Sequence, residues 1–364
     1  MPDLIASLLP EVLFEERSQV LLILIAIVAM AGVIKGADWL VEGAAGIAAR
    51  LGMPKVIIGA TIVSLGTTAP ETAVSVLASF SGNPGLALGN GVGSIIADTG
   101  LIFGLGCILV ALPADKFVLS RQGWVQFGSG LMLAVICWTL FALFGDSAAM
   151  SRLYGVLFLL LLVGYLWLSV RWAKAHPHGE PHLIADEQGQ TEHTDTHDEA
   201  GEKTLAALAV MGLIGLAVVI FGGDLLVGSA SELARQWSIP EAVIAGTIVA
   251  LGTSLPELVV GLTSLRKGHA ELLVGNVIGA DILNVLFVIG ASAVAAPLTI
   301  AYDNATDQPT RAIVYIALPT MMAMLLYFRL CVFKATRDGH FSKWMGYPLL
   351  AGYLAYAVVS FVLS

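Results

Sequence analysis

Charge is what this chain has least of. Only 12% of its 364 residues are Asp, Glu, Lys or Arg, while 57% are hydrophobic; about a quarter charged is usual in a soluble domain. Its mean hydropathy is +0.86. So little polar side chain cannot cover a soluble globule, which excludes a cytosolic enzyme or a nucleic-acid binder and leaves a polytopic membrane protein. Cysteine is also scarce. Cys107, Cys137 and Cys331 stand singly in apolar runs, without metal or redox spacing, and read as packing residues. A basic start and a small-residue cleavage site are missing from the N-terminus, so residues 1–18 are expected to lie at the membrane interface rather than to act as a signal peptide.

The formal charge of −9 is local. Residues 173–203 hold eight acids against Lys174 and Lys203, a net −6, so the rest of the chain is close to balanced. The same stretch carries His176, His178, His182, His193 and His197. It reads as a solvated cytoplasmic linker, with metal or proton sensing by the histidines as the alternative.

A bilayer crossing takes about 20 apolar residues. Ten candidate spans follow, at about 19–49, 54–80, 84–111, 122–145, 153–171, 204–234, 239–265, 270–298, 311–328 and 344–363. The linker divides them five and five, into a first repeat at 19–172 and a second at 204–364. Between Gly36 and Gly104 the first half aligns without a gap to the second at an offset of 186 residues. Gly36 and Asp38 recur as Gly222 and Asp224, Pro54 as Pro240, Gly66 as Gly252, Pro70 as Pro256, Asn90 as Asn276 and Gly104 as Gly290. Such register marks a true internal repeat. Because each half has an odd number of spans, the second copy enters the membrane upside down, which predicts an all-α inverted repeat of ten helices.

Basic residues test this topology independently. Thirteen Lys and Arg fall on the side holding the linker, and Arg17, Arg152, Arg235 and Arg311 on the other. The positive-inside bias makes the linker side cytoplasmic and places both termini outside.

Two matching stretches carry the chemistry. Thr61-Ile-Val-Ser-Leu-Gly-Thr-Thr-Ala-Pro-Glu71 is echoed by Thr247-Ile-Val-Ala-Leu-Gly-Thr-Ser-Leu-Pro-Glu257. Each puts Gly, hydroxyls, Pro and Glu inside an apolar span, although a carboxylate at mid-bilayer costs roughly 2.5–3.5 kcal/mol on insertion scales. The Gly and Pro break the helix and free carbonyls, which is tolerable at that depth only around a cavity. Broken helices 2 and 7 therefore point to a substrate site between the repeats. Each is followed by a Gly-rich span in which Asp98 and Asn284 are mates, both 27 residues beyond their Glu.

The expected centre holds Glu71, Glu257, Asp98 and Asn284, ringed by Thr67, Thr68, Thr253 and Ser254. This all-oxygen set suits Ca²⁺, which takes six to eight hard ligands, and disfavours soft transition metals. Three carboxylates can neutralise one Ca²⁺ or several Na⁺ but not both sets at once. Competition of that kind is an exchange mechanism. Asp281 is either a further charge facing the cavity or a cap on a packing contact, and Asp38 and Asp224 read as interfacial. An intramembrane aspartyl enzyme on Asp98 and Asp281 would explain neither the Glu pair nor the doubled breaks, so a transporter is expected rather than an enzyme.

The doubled Gly-Thr-x-x-Pro-Glu, each copy followed by Gly-Asn-x-x-Gly-(Ser/Ala), resembles the α-repeats of the sodium/calcium exchanger branch of the cation/calcium exchanger superfamily. The resemblance covers about 36–107 and 222–293. It implies alternating access, cation ligands at the eight central positions, spans 1 and 6 sliding as a gating pair, and a functional monomer in the inner membrane. It implies no cofactor; Ca²⁺ and Na⁺ are the transported ions. Related proton/calcium exchangers have Gly-Asn-x-x-Glu at the break, so sodium coupling is expected and proton coupling is the alternative. Two departures stand out: Ile95 and Asp281 replace the family's usual Asn, and the lone central Asp falls in the first repeat, at Asp98, rather than the second.

Overall fold

The computed structural model describes residues 13–15, 17–80, 84–175, 203–237, 252, 254–303, 308–309 and 311–363. Seven helices among them are long and apolar enough to cross a membrane. They are α1 (Gln19–Leu51), α4 (Pro84–Leu109), α5 (Lys116–Phe144), α6 (Arg152–Ala175), α7 (Leu205–Gln236), α9 (Ala270–Ala295) and α10 (Ile313–Asp338). Two shorter helices, α2 (Lys55–Thr67) and α3 (Ala69–Phe80), are together long and apolar enough for an eighth crossing and meet at a 42° bend. α8 (Leu255–Arg266) and α11 (Gly346–Leu363) complete the longer helices among the described residues. The expected span at 239–265 is thus described only in its second part, and residues 176–202, most of the expected linker, lie outside the described residues.

Local chemistry sets the helix ends. Ser18, Asp115 and Thr204 cap α1, α5 and α7, their side-chain oxygens accepting from Leu21, Val118 and Ala207 N–H groups, so α5 starts earlier than its apolar run suggests. α1 stops at Gly52, whose φ of 61° is cheap only for glycine, and Pro54 follows. In the bent span Pro70 has no N–H to give the Gly66 carbonyl, and the helix turns at Thr68.

Burial sorts the helices. In its most apolar window α9 is 94% buried and α4 72%, whereas α1, α6 and α7 are each 28% buried. α4 and α9 form the centre, and the others present Val28, Leu160, Val163 and Leu213 outward as lipid-facing surface.

The halves meet in reciprocal pairs. On α1, Gly36 and Gly43 approach Gly215 and Leu208 of α7 so closely that a Cβ on either glycine would lie 2.8 Å from the opposing carbonyl. Rising numbers on one helix meet falling numbers on the other, so α1 and α7 are antiparallel. Gly222 in turn faces Ala29, the contact that the 186-residue offset generates from Gly36 and Gly215. Short strands repeat the exchange: β1 (Leu112–Pro113) pairs with β6 (His340–Phe341), and β2 (Ala149–Met150) with β3 (Leu298–Thr299). A third pair, β4 (Tyr302–Asp303) with β5 (Gln308–Pro309), closes a hairpin.

Polar contacts at the helix ends respect the expected sides. Arg50 donates to the Lys203 carbonyl, Lys55 meets His269, and Arg266 pairs with Asp38, all on the linker side. At the opposite end Arg311 pairs with Asp146 and Arg152 donates to the Ala295 carbonyl.

Candidate ion-binding site

Both acids stand in the first turn of a helix, Glu71 on α3 just past the bend and Glu257 on α8. A helix N-terminus carries unsatisfied N–H groups and a partial positive charge, which suits a carboxylate there. Both acids are 2% exposed. Their carboxyls lie within hydrogen-bonding reach of one another, and the Thr67 hydroxyl reaches Glu257. The two mirror-related acids thus meet, as the repeat leads one to expect.

Asp98 and Asn284 each begin a π-helical turn, Asp98–Phe103 in α4 and Asn284–Ile289 in α9, in register with the repeat offset. A π turn displaces backbone groups from the regular ladder and is common at functional sites. The Asn284 amide donates to Asp98 Oδ2 at 3.3 Å across the junction of the halves. Asp98 also lies close enough to Glu71 and Glu257 for their charges to interact.

Thr67, Thr68 and Ser254 are buried beside the breaks. The Thr67 hydroxyl donates to the Ser64 carbonyl at 3.3 Å and lies 3.4 Å from Asn276 Oδ1. Thr253 lies outside the described residues. Seven of the eight expected positions are therefore buried, and five of them, Glu71, Glu257, Asp98, Asn284 and Thr67, meet at one junction. Among the described residues no three acidic, histidine or cysteine side chains are arranged to hold a metal by themselves, so a cation at this centre would also need the hydroxyl and carbonyl oxygens.

Several buried oxygens have no hydrogen-bond partner among the described residues: Thr68 Oγ1, Glu71 Oε2, Asp98 Oδ1, Glu257 Oε2 and Asn284 Oδ1. Leaving such groups bare costs about 1–3 kcal/mol each, more when charged. A cluster of buried, unpartnered oxygens of this kind, built by both halves, fits a hard cation.

Sequence reasoning missed Asn276, Thr99 and Gln126. Asn276 was visible as one of the repeated Asn residues. Gln126 gave a weaker signal, a neutral amide within an apolar span, and it donates to Asp281 Oδ2 at 2.6 Å. Asp38 is held at the periphery by Arg266 and Lys267. Cys107, Cys137 and Cys331 are buried free thiols, as packing residues should be.

Two helix-start acids meeting at the centre of an apolar bundle of membrane-length helices point to a membrane transporter. Comparison with known proteins carries this to a family: the sodium/calcium exchanger protein family matches residues 21–171 and 207–362, and the chain belongs to it. The sodium/calcium exchanger MaX1 of Methanosarcina acetivorans is 29% identical over 93% of this chain and 98% of its own length. The putative antiporter CaxA of Alkalimonas amylolytica is 34% identical over 72% of this chain and 76% of its own. Inner membrane protein YrbG of Escherichia coli is 33% identical over 74% of this chain and 79% of its own. Among solved structures, the sodium-calcium exchanger NCX_Mj soaked with 10 mM Na⁺ and zero Ca²⁺ superposes with a TM-score of 0.74 at 27% identity, covering 94% of this chain and 99% of that one.

Proposed function

We propose that this protein is an antiporter that uses Na⁺ entry to expel Ca²⁺, exposing one central site alternately to the two sides of the inner membrane. The observation that carries the reading is the meeting of Glu71 and Glu257, delivered by opposite repeats, with a buried oxygen of each left unpartnered. Glu71, Glu257, Asp98, Asn284, Thr67, Thr68, Thr253 and Ser254 are the ligand set. Three carboxylates neutralise one Ca²⁺ or several Na⁺, and the cost of excess charge in a low-dielectric cavity prevents both from binding together. Release of one ion is then coupled to entry of the other.

The architecture proposed is ten spans in two inverted repeats, the count being completed by residues 239–265 and by α11. The antiparallel contact of α1 with α7 and the strand exchange between halves support it. Backbone-to-backbone packing through small residues gives α1 and α7 a smooth seam along which they can slide as the gating pair. Both termini lie outside and the 173–203 linker is cytoplasmic.

The test is ⁴⁵Ca²⁺ uptake into proteoliposomes under imposed Na⁺, K⁺ and H⁺ gradients in turn. Uptake driven by an outward Na⁺ gradient at fixed pH is expected. Uptake driven only by a pH gradient, in the absence of Na⁺, would replace sodium coupling with proton coupling.

A further inference from the structure

We propose that Asp281 forms, with Thr99 and Asp98, an additional monovalent-cation site adjoining the central cluster, one whose two-fold mate, at Ile95 and Val285, is apolar. The proposal rests on the exchange reading above and adds an ion to it.

Asp281 is 2% exposed in the middle of α9. Its Oδ2 accepts from the Thr99 hydroxyl at 2.5 Å and from the Gln126 amide at 2.6 Å. Its Oδ1 is buried with no partner among the described residues, and so is Asp98 Oδ1. Thr99, which hydrogen bonds to Asp281, is the residue next to Asp98, so one turn of α4 brings the two acids to the same place. Their hydrogen-bond partners, Asn284 for Asp98 and Thr99 and Gln126 for Asp281, are all neutral. Two buried acids with only neutral partners keep their charges cheaply only when a cation stands between them.

The internal repeat supplies the control that separates ligand from scaffold. Under the 186-residue offset Asp281 maps to Ile95 and Thr99 to Val285. Both mates are buried in the apolar core. The fold therefore closes the equivalent contact with two hydrocarbon side chains, and packing alone does not require a hydrogen-bonded acid at this place. Thr99 spends its proton on Asp281, so its oxygen lone pairs remain to face a cation, and it sits in the π turn begun by Asp98. The donors are hard oxygens with one or two charges, which suits an alkali cation of the Na⁺ class rather than a second divalent ion.

The experiment measures the reversal potential of ⁴⁵Ca²⁺ exchange in proteoliposomes for the wild type, Asp281→Asn, and the double variant Thr99→Val with Asp281→Ile. The double variant copies the first repeat's apolar pair and guards against a folding failure of the first. Both variants are expected to exchange Ca²⁺ with one fewer positive charge moved per Ca²⁺, the deficit following the Na⁺ gradient at fixed pH. Three results overturn the proposal: unchanged reversal potentials in the variants, loss of ⁴⁵Ca²⁺ uptake in both, or a deficit that follows the pH gradient at fixed Na⁺. Absence of cation-driven flux in the wild type sinks the exchange reading itself, and this site with it; wild-type exchange with unaltered variants sinks only the site.

Discussion

Glu71 owes its position to the proline that immediately precedes it: Pro70 cannot donate to the carbonyl of Gly66, so the helix breaks there and restarts with its acid in the first turn. Pro256 stands in the same way immediately before Glu257 in the first turn of α8. Neutralising either acid leaves every van der Waals contact in place while removing one unit of the charge that holds Ca²⁺. A charged contact is worth about 1.5–3 kcal/mol, so Glu71→Gln or Glu257→Gln should weaken Ca²⁺ binding by roughly 10- to 100-fold and abolish exchange, as read by calorimetric titration and ⁴⁵Ca²⁺ uptake. Near-normal uptake by either variant would count heavily against the central site. Asp98 and Asn284 allow a sharper test, because they hydrogen bond to each other across the repeat junction. Asp98→Asn should shift the Na⁺ dependence of exchange more than its Ca²⁺ affinity, and adding Asn284→Asp, which moves the acid to its mirror position, should return the Na⁺ titration toward that of the wild type. The two glutamates were legible in the sequence because an acid inside an apolar run is costly, and one that recurs at a fixed offset beside the same helix break marks a shared polar site. The fate of Asp281 was not legible. It depends on Gln126 arriving from α5, 155 residues away in the chain, and no local pattern encodes that approach.

At the scale of elements, the broken span, the caps and the Gly-rich packing faces follow from composition, whereas the π turns do not. An i to i+5 turn arises where tertiary packing forces one residue too many into a helix, and both central ones form at the crossing of α4 and α9 with the opposite half. Their symmetric placement was hidden inside apolar stretches that any helix would accept. The α1 and α7 seam is different, since Gly36, Gly43, Gly215 and Gly222 mark it in the sequence. A large side chain there meets opposing backbone that cannot rotate away. Gly36→Leu should destabilise the protein by roughly 1–3 kcal/mol through overpacking. More informatively, it should slow ⁴⁵Ca²⁺ exchange while leaving the Ca²⁺ affinity measured by equilibrium titration little changed, because Gly36 touches the sliding surface and not the acids. Equal loss of affinity and rate would show that the seam shapes the site instead of gating it.

At the scale of the whole molecule, the proposed pair of repeats places the polar helix ends on defined sides, and that arrangement predicts orientation. By the positive-inside bias, thirteen basic residues on the linker side against four on the other predict that the linker side faces the cytoplasm, and the ion pairs agree with the grouping: Lys203 and Lys267 meet Glu42 at one face, Arg311 meets Asp146 at the opposite one. The native cysteines are buried, so introduced thiols can be read against a low background. Ser147 and Lys174 are exposed at opposite ends of adjacent spans, α5 and α6. In right-side-out vesicles a membrane-impermeant maleimide should label Ser147→Cys at once and Lys174→Cys only after permeabilisation. The reverse pattern would turn the molecule over. The acids would stay at the repeat junction and the direction of exchange, which the ion gradients set, would stand, but the face from which each repeat opens the site would be exchanged for the other.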